Sequence, residues 1–232
     1  MPTTIDEVRD RIHRISTFSP EANMVFNQYL IDADEPLLFH LGQRALFADV
    51  RDAVETVVPL DRLRWLGFGH VEADECGAMN EWLAAAPNAQ VAFGFTGSLV
   101  SVMDLADRPP RMLVDGEVLD LGGRRVRYLD TPHVPHGWDA GLLFEEETRT
   151  LLCGDLFTRT GEVGSTSTES PLGPALEAEA MFGAMSRAPQ TGPTLERLAA
   201  LEPDALALMH GATHIGDAAT WLRELAAATT VG

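Results

Sequence analysis

The stretch Leu63-Arg64-Trp65-Leu66-Gly67-Phe68-Gly69-His70-Val71-Glu72-Ala73-Asp74 opens as an apolar run and closes with three metal-competent side chains at alternate positions. The run reads as a buried strand, so His70, Glu72 and Asp74 fall where a turn can aim all three into one space. Downstream, His136, Asp155 and His210 each end an apolar strand-like run as well. Six residues of ligand type at four strand ends describe a metal centre. A divalent or trivalent ion needs several anionic or lone-pair donors fixed at about 2.0–2.3 Å. Asp155 is suited to bridge two ions, because its two oxygens point in different directions and two-metal sites place their ions about 3.5–4 Å apart.

The rest of the chain bounds what such a centre could serve. Its 232 residues suffice for one large domain, expected over residues 1–232, and 45% hydrophobic with 22% charged residues is an ordinary globular composition. The net charge of −18, from 17 basic against 35 acidic residues, repels phosphate backbones and anionic lipid, which argues against nucleic-acid or membrane binding. No apolar stretch approaches the roughly 20 residues that span a bilayer. The N-terminus has no basic segment followed by an apolar one, so no secretory signal is expected. Two cysteines, Cys76 and Cys153, are too few for a disulfide framework and fit a reducing cytoplasm. Both read as packing residues rather than thiolate ligands.

Periodicity gives the organisation. Met24–Asp32 and Pro36–Leu41 read as strands joined by Ala33-Asp34-Glu35, followed by a helix over Ala45–Val58, a strand over Arg62–Gly69 and a helix from Asp74 stopped by Pro87. Gln90–Phe95 is a further strand, Ser98–Leu105 a helix. Asp115-Gly116 between two apolar runs predicts a hairpin. Arg124–Leu129 continues as strand, and Gly141–Glu145 with Arg149–Cys153 predicts a second hairpin. Helices over Ala175–Arg187 and Pro193–Leu201, a strand over Ala205–Met209 and a final helix over Ala218–Ala228 complete the chain. The order predicts no long parallel βαβ series. Strands this apolar need cover on both faces, which predicts an α/β (α+β) four-layer αββα sandwich: two packed mixed sheets with outer helices.

At this point the chain resembles a known family. The H-x-E-x-D motif at His70, Glu72 and Asp74, then His136, then Gly154-Asp155 closing a Leu-Leu-Cys-Gly-Asp strand, then His210-Gly211, is similar to the metallo-β-lactamase superfamily. More narrowly it resembles the diiron branch, the flavodiiron proteins and stand-alone oxygen-binding diiron proteins, in which a glutamate replaces the second histidine of the hydrolase pattern H-x-H-x-D-H. The spacings agree: 61 residues between Asp74 and His136, 18 between His136 and Asp155, 54 between Asp155 and His210. The resemblance covers roughly residues 20–230. It implies that His70, Glu72 and His136 bind one iron, that Asp74 and His210 bind the other, and that Asp155 bridges. Three carboxylates with three imidazoles form a hard, anionic donor set that suits iron or manganese, with zinc still open.

The chain departs from the family where Asp-His is usual, having Asp74-Glu75. Glu75 could add a carboxylate ligand, or point away on the first turn of a helix, where negative charge is favourable. His133 competes with His136, which is favoured by its separation from Asp155 and the alternation downstream toward Phe144; His214 competes with His210, which is favoured by its strand-end position before Gly211; His133 and His214 are left as pocket or surrounding residues. Trp138 and Asp139 are expected to shape the pocket. His13 and His40 lie outside the motifs and read as structural. The Thr-, Ser- and Gly-rich segment 158–170 is long enough for a lid over Asp155.

The resemblance implies a cytoplasmic non-haem dinuclear iron protein that binds dioxygen, or reduces dioxygen or nitric oxide. With no flavodoxin-like domain after the final helix, no bound flavin is expected and electrons would come from a redox partner protein; a homodimer stays open. Two other readings remain: a dinuclear zinc hydrolase, whose metal lowers the pKa of bound water, and an oxygen or redox sensor.

Overall fold

The computed structural model describes residues 3–229. Two seven-stranded sheets form its centre. The first runs in the order β1 (Thr3–Arg9), β2 (Ile12–Ser19), β3 (Met24–Ile31), β4 (Leu37–Phe39), β5 (Trp65–Gly67), β6 (Gln90–Gly94) and β7 (Arg111–Leu113). The second contains β8 (Val118–Asp120), β9 (Arg125–Asp130), β10 (Gly141–Glu145), β11 (Thr150–Leu152), β12 (Thr166–Ser167), β13 (Ala205–Ala207) and β14 (Thr213–Ile215), ordered β12-β14-β13-β11-β10-β9-β8.

Three apolar clusters define the layers. Between the sheets lie Ile12, Tyr29, Phe39 and Trp65 of the first, packed with Val126, Leu143, Leu152 and Ala207 of the second. On the outer face of the first sheet, Leu38, Leu66 and Val91 meet α1 (Phe47–Glu55), α2 (Ala73–Cys76) and α3 (Met79–Ala85) through Val50, Val54 and Trp82. On the outer face of the second, Leu142, Phe144 and Leu206 meet α6 (Leu172–Phe182), α7 (Thr191–Ala199) and α8 (Ala218–Thr229). Helix α8 buries Ala218, Trp221, Leu222, Leu225 and Ala226, the i, i+3, i+4, i+7, i+8 stripe of a helix with one apolar face. Helix α6 stops at Gly183, which takes the left-handed conformation of a C-cap (φ 60°). The predicted four-layer αββα sandwich is the observed fold. No helix among the described residues is long and apolar enough to cross a membrane.

Several local expectations are corrected. Strands β4, β5, β6 and β7 pair in parallel, each with the next, so a parallel series does exist. The Asp115-Gly116 hairpin does not form: β7 pairs with β6, while β8 pairs antiparallel with β9 in the other sheet. The turn is real, with Glu117 N–H donating to Val114 O at 2.9 Å, but it carries the chain from one sheet to the other. The helix expected from Asp74 to Pro87 is broken between Cys76 and Met79. The helix expected at 98–105 starts at Phe95 and runs as α4 (Phe95–Gly97), a π-helical stretch (Ser98–Val102) and α5 (Met103–Leu105). Strands β1, β2, β12 and β14 add to the expected set. The hairpin β10–β11 forms as read.

Candidate metal centre

All six residues of the sequence motifs come to one end of the sandwich, because each follows a strand. β5 ends at Gly67, and the chain turns through His70 and Glu72 into α2, whose first turn carries Asp74. The segment between β9 and β10 carries His136. Asp155 follows β11, and His210 follows β13. Strand ends are where backbone direction can change without breaking the ladder, so donors from separate strands can converge there.

Asp155 stands at the centre. Its Oδ2 lies 3.3 Å from His136 Nε2 and 3.8 Å from His70 Nε2, and its Oδ1 lies 3.3 Å from His210 Nε2. Glu72 Oε1 approaches His70 Nε2 at 3.3 Å and His136 Nε2 at 3.5 Å. Asp74 Oδ2 is 3.4 Å from His210 Nε2. His70, Glu72, His136 and Asp155 thus offer donor atoms all within 4.8 Å of one another. Asp74 and His210 face the opposite oxygen of Asp155.

Neighbouring groups hold the turns that carry His210 and His70. His210 Nδ1 is 2.8 Å from Val25 O; a carbonyl only accepts, so Nδ1 carries a proton, and in the neutral ring Nε2 keeps its lone pair toward Asp155. The turn carrying His210 is tied to β3 by Asn27 Nδ2, which donates to Leu208 O and Gly211 O, and by Tyr29 Oη, which donates to Leu208 O. Asp139 Oδ2 accepts Val71 N–H at 3.1 Å, bracing the segment between His70 and Glu72. Asn27 and Tyr29 were not singled out from the sequence; their only local signal is a polar residue inside an apolar strand.

The field of the site favours positive charge. Burial opposes a charged His70, yet Glu72, Glu75 and Asp155 outweigh it and raise His70 to about 11. His210 is likewise disfavoured by burial and raised to about 10 by Asp155 and Asp74. Asp155 raises His136. Burial works against ionised Asp155, but His136 and His210 hold its carboxyl well below the usual range.

A cavity of about 520 Å³ opens onto Glu72, Asp74, His136, Asp155 and His210, with walls from Met24, Phe157, Leu176, Phe182 and Met185. Helix α6 and the residues after it form one part of that wall, while of segment 158–170 only Thr158 lines the cavity. The segment is tied down by Arg159 N–H to His210 O and Gly161 N–H to Asn23 O, so the expected lid is not seen there. Other expectations fall away as well. His133 and Trp138 are exposed and do not line the cavity. His214 is buried, donating from Nδ1 to Glu169 O at 2.7 Å, and does not line it either. Glu75 neither joins the donors nor points to solvent: it is buried behind His70, with Oε1 3.1 Å from His70 Nδ1. His40, read as structural, lies 3.3 Å from the other Glu75 oxygen. Cys153 sits in the core and Cys76 is buried on α2, its thiol pushed up to about 12 by burial.

Comparison with known proteins bears on the fold and the family. The rubredoxin-oxygen oxidoreductase of Megalodesulfovibrio gigas is 25% identical over 146 residues, 61% of this chain and 35% of that protein. The anaerobic nitric oxide reductase flavorubredoxin of Pectobacterium carotovorum is 24% identical over 136 residues, 57% of this chain and 27% of that protein. The chain therefore spans about a third of the length of these curated relatives. Among solved structures, the rubredoxin oxygen:oxidoreductase from Desulfovibrio gigas superposes with a TM-score of 0.82 at 18% identity, covering 97% of this chain and 62% of that one. The model of the ODP family beta lactamase matches residues 24–182, a span that holds five of the six converging residues and leaves out His210. That match takes in well over half of the chain, and with the two-sheet sandwich it shows that the chain belongs to the ODP family of the metallo-β-lactamase fold.

Proposed function

We propose that this chain holds two metal ions, iron by preference, and acts as the oxygen- or nitric-oxide-handling core of an oxidoreductase supplied with electrons by a redox partner protein. The reading is carried by Asp155, whose two oxygens face two separate sets of donors. His70, Glu72 and His136 with Oδ2 would hold one ion; Asp74 and His210 with Oδ1 would hold the other. The residues fit the group. His70 Nε2 and Asp155 Oδ1 are buried without a hydrogen-bond partner, an arrangement that costs roughly 1–3 kcal/mol per group unless a ligand satisfies it. Three carboxylates among the donors favour iron or manganese over zinc.

The chemistry two such ions supply is electron transfer to a small oxidant held beside them. The chain's own residues do the rest. Asp155 sets the separation of the two positions. The second position would draw on three protein donors, Asp74, His210 and Asp155 Oδ1, against four at the first. Met24, Phe157, Leu176 and Phe182 give that approach an apolar lining, which suits a neutral diatomic and keeps bulk water away. The names of the relatives, an oxygen oxidoreductase and a nitric oxide reductase, support the same substrates here. We propose further that residues 1–232 work as one domain.

The test is iron analysis together with consumption of dioxygen and of nitric oxide by the iron-loaded chain and a reduced small-protein donor. About two irons per chain and consumption of either gas are expected. Fewer than two irons with no consumption, or turnover of generic esters by the zinc form alone, overturns the reading.

A further inference from the structure

We propose that Glu75 is a positioning residue of the metal centre, holding His70 by the ring nitrogen opposite the one that faces Glu72 and Asp155; this rests on the dinuclear reading above. Glu75 follows Asp74 on α2, yet its side chain turns inward and is fully buried. Oε2 accepts the backbone N–H groups of Gly69 and, at 2.8 Å, of His70. The carboxylate is thereby fastened to the same turn that presents His70. Gly69 is required for this approach: a Cβ there would lie 2.9 Å from Glu75 Oε2.

The other oxygen is the informative one. Glu75 Oε1 is buried, receives no hydrogen bond from any other group, and lies 3.1 Å from His70 Nδ1. On the far side His40 Nδ1 stands 3.3 Å from Oε2. His40 is itself wholly buried and takes a left-handed backbone (φ 64°), a conformation uncommon outside glycine. His40, Glu75 and His70 therefore form a buried series. It ends on a ring nitrogen 3.3 Å from Glu72 Oε1 and 3.8 Å from Asp155 Oδ2.

A carboxylate against one imidazole nitrogen keeps the proton there, leaves the lone pair of the other free, and makes that nitrogen the stronger donor. The three imidazoles of the site differ in this respect. His210 has a neutral carbonyl behind it, Val25 O, and His136 Nδ1 is buried without a partner. Only His70 is backed by an anion. Glu75 thus makes the two metal positions unequal, and the His70 position the more strongly donating.

The experiment compares the wild-type 232-residue chain with Glu75→Gln, which keeps the shape and removes the charge. Metal-free protein is titrated with Co(II), whose visible bands report the ligand field, and thermal melts monitor folding. In the folded variant we expect the affinity of the His70 position to fall about 10–100-fold, with its Co(II) bands shifted. A folded variant with wild-type affinity and wild-type bands overturns the inference. Should the variant not fold, nitrogen-resolved imidazole NMR of the zinc-loaded wild-type chain decides. His70 carrying a slowly exchanging proton on Nδ1 supports the proposal; a bare or metal-bound Nδ1 overturns it. A wild-type chain that takes up one ion sinks the dinuclear reading alone, and the His70 tautomer in that form still judges Glu75. A chain that takes up none sinks both.

Discussion

Asn27→Ala should loosen the turn that carries His210, and the size of the effect follows from which carbonyls are left with partners. Asn27 is fully buried on β3 and its Nδ2 donates to Leu208 O at 2.8 Å and to Gly211 O at 2.7 Å. Neither acceptor is orphaned by the loss: Leu208 O keeps Tyr29 Oη at 2.8 Å, and Gly211 O keeps an Arg14 guanidinium N–H at 3.1 Å. The penalty is then two ordinary hydrogen bonds, about 1–3 kcal/mol in all at about 0.5–1.5 kcal/mol each. For a chain of this length that lowers the melting temperature by roughly 2–12 °C. Tyr29→Phe alone leaves Leu208 O with Asn27 but also removes the 3.3 Å hydrogen bond between Tyr29 Oη and Thr213 Oγ1, and should cost about 1–3 kcal/mol for the two bonds. In the double variant Leu208 O loses both side-chain donors. Its burial then adds about 1–3 kcal/mol beyond the sum of the single changes. The assay is urea unfolding of the metal-free wild-type, single-variant and double-variant chains. Additivity within about 0.5 kcal/mol, or a single Asn27 effect near zero, would refute the claim that these two residues share the anchoring of that turn.

Other perturbations test other parts of the structure. Arg124→Ala removes the buried guanidinium that pairs with fully buried Glu145 at 3.2 Å and with Asp10; because Glu145 keeps the N–H groups of Glu147 and Thr148, a loss of about 1.5–3 kcal/mol is expected, that of a hydrogen bond between charged groups, measured by chemical denaturation. Gly69→Ala should destabilise the chain by about 1–3 kcal/mol as an overpacking change, because the new methyl meets Glu75 Oε2 at 2.9 Å; a neutral result by the same assay contradicts that close approach. Glu72→His should move the metal content of protein expressed without added zinc from iron toward zinc, since a softer neutral donor replaces a hard anionic one. Elemental analysis of both proteins checks it, and an unchanged iron-to-zinc ratio denies Glu72 that influence.

The layers of the fold were legible because they rest on patterns within single segments. The apolar run before His70, the 3.6-residue stripe of α8 and the acidic turn between β10 and β11 each declare their structure locally. Misreadings arose where pairing is decided at a distance. Asp115-Gly116 makes a turn whatever follows it, but whether its arms pair depends on β6 and β9 offering better edges. Those edges lie in different sheets. Strand β1 alternates between half-buried and exposed residues only over Thr3–Asp6, buries a single residue, Val8, and sits at a sheet edge, so its own sequence carries little signal apart from the neighbour it pairs with. Strands β12 and β14 are two and three residues long, too short to carry a period.

At the site the division is sharper. By itself the sequence determined the kinds of donors, their order and their placement after strands, because ligand chemistry depends on residue type and a strand end is a local feature. Only the tertiary structure decided that Asp155 faces two clusters at once, that His133, Trp138 and His214 stand outside the cavity, and that Glu75 turns inward to meet His70 and His40. The physical reason is common to all three. Which way a side chain points from a turn is settled by the partners packed against it, and those partners come from other sheets and helices, far away in the chain.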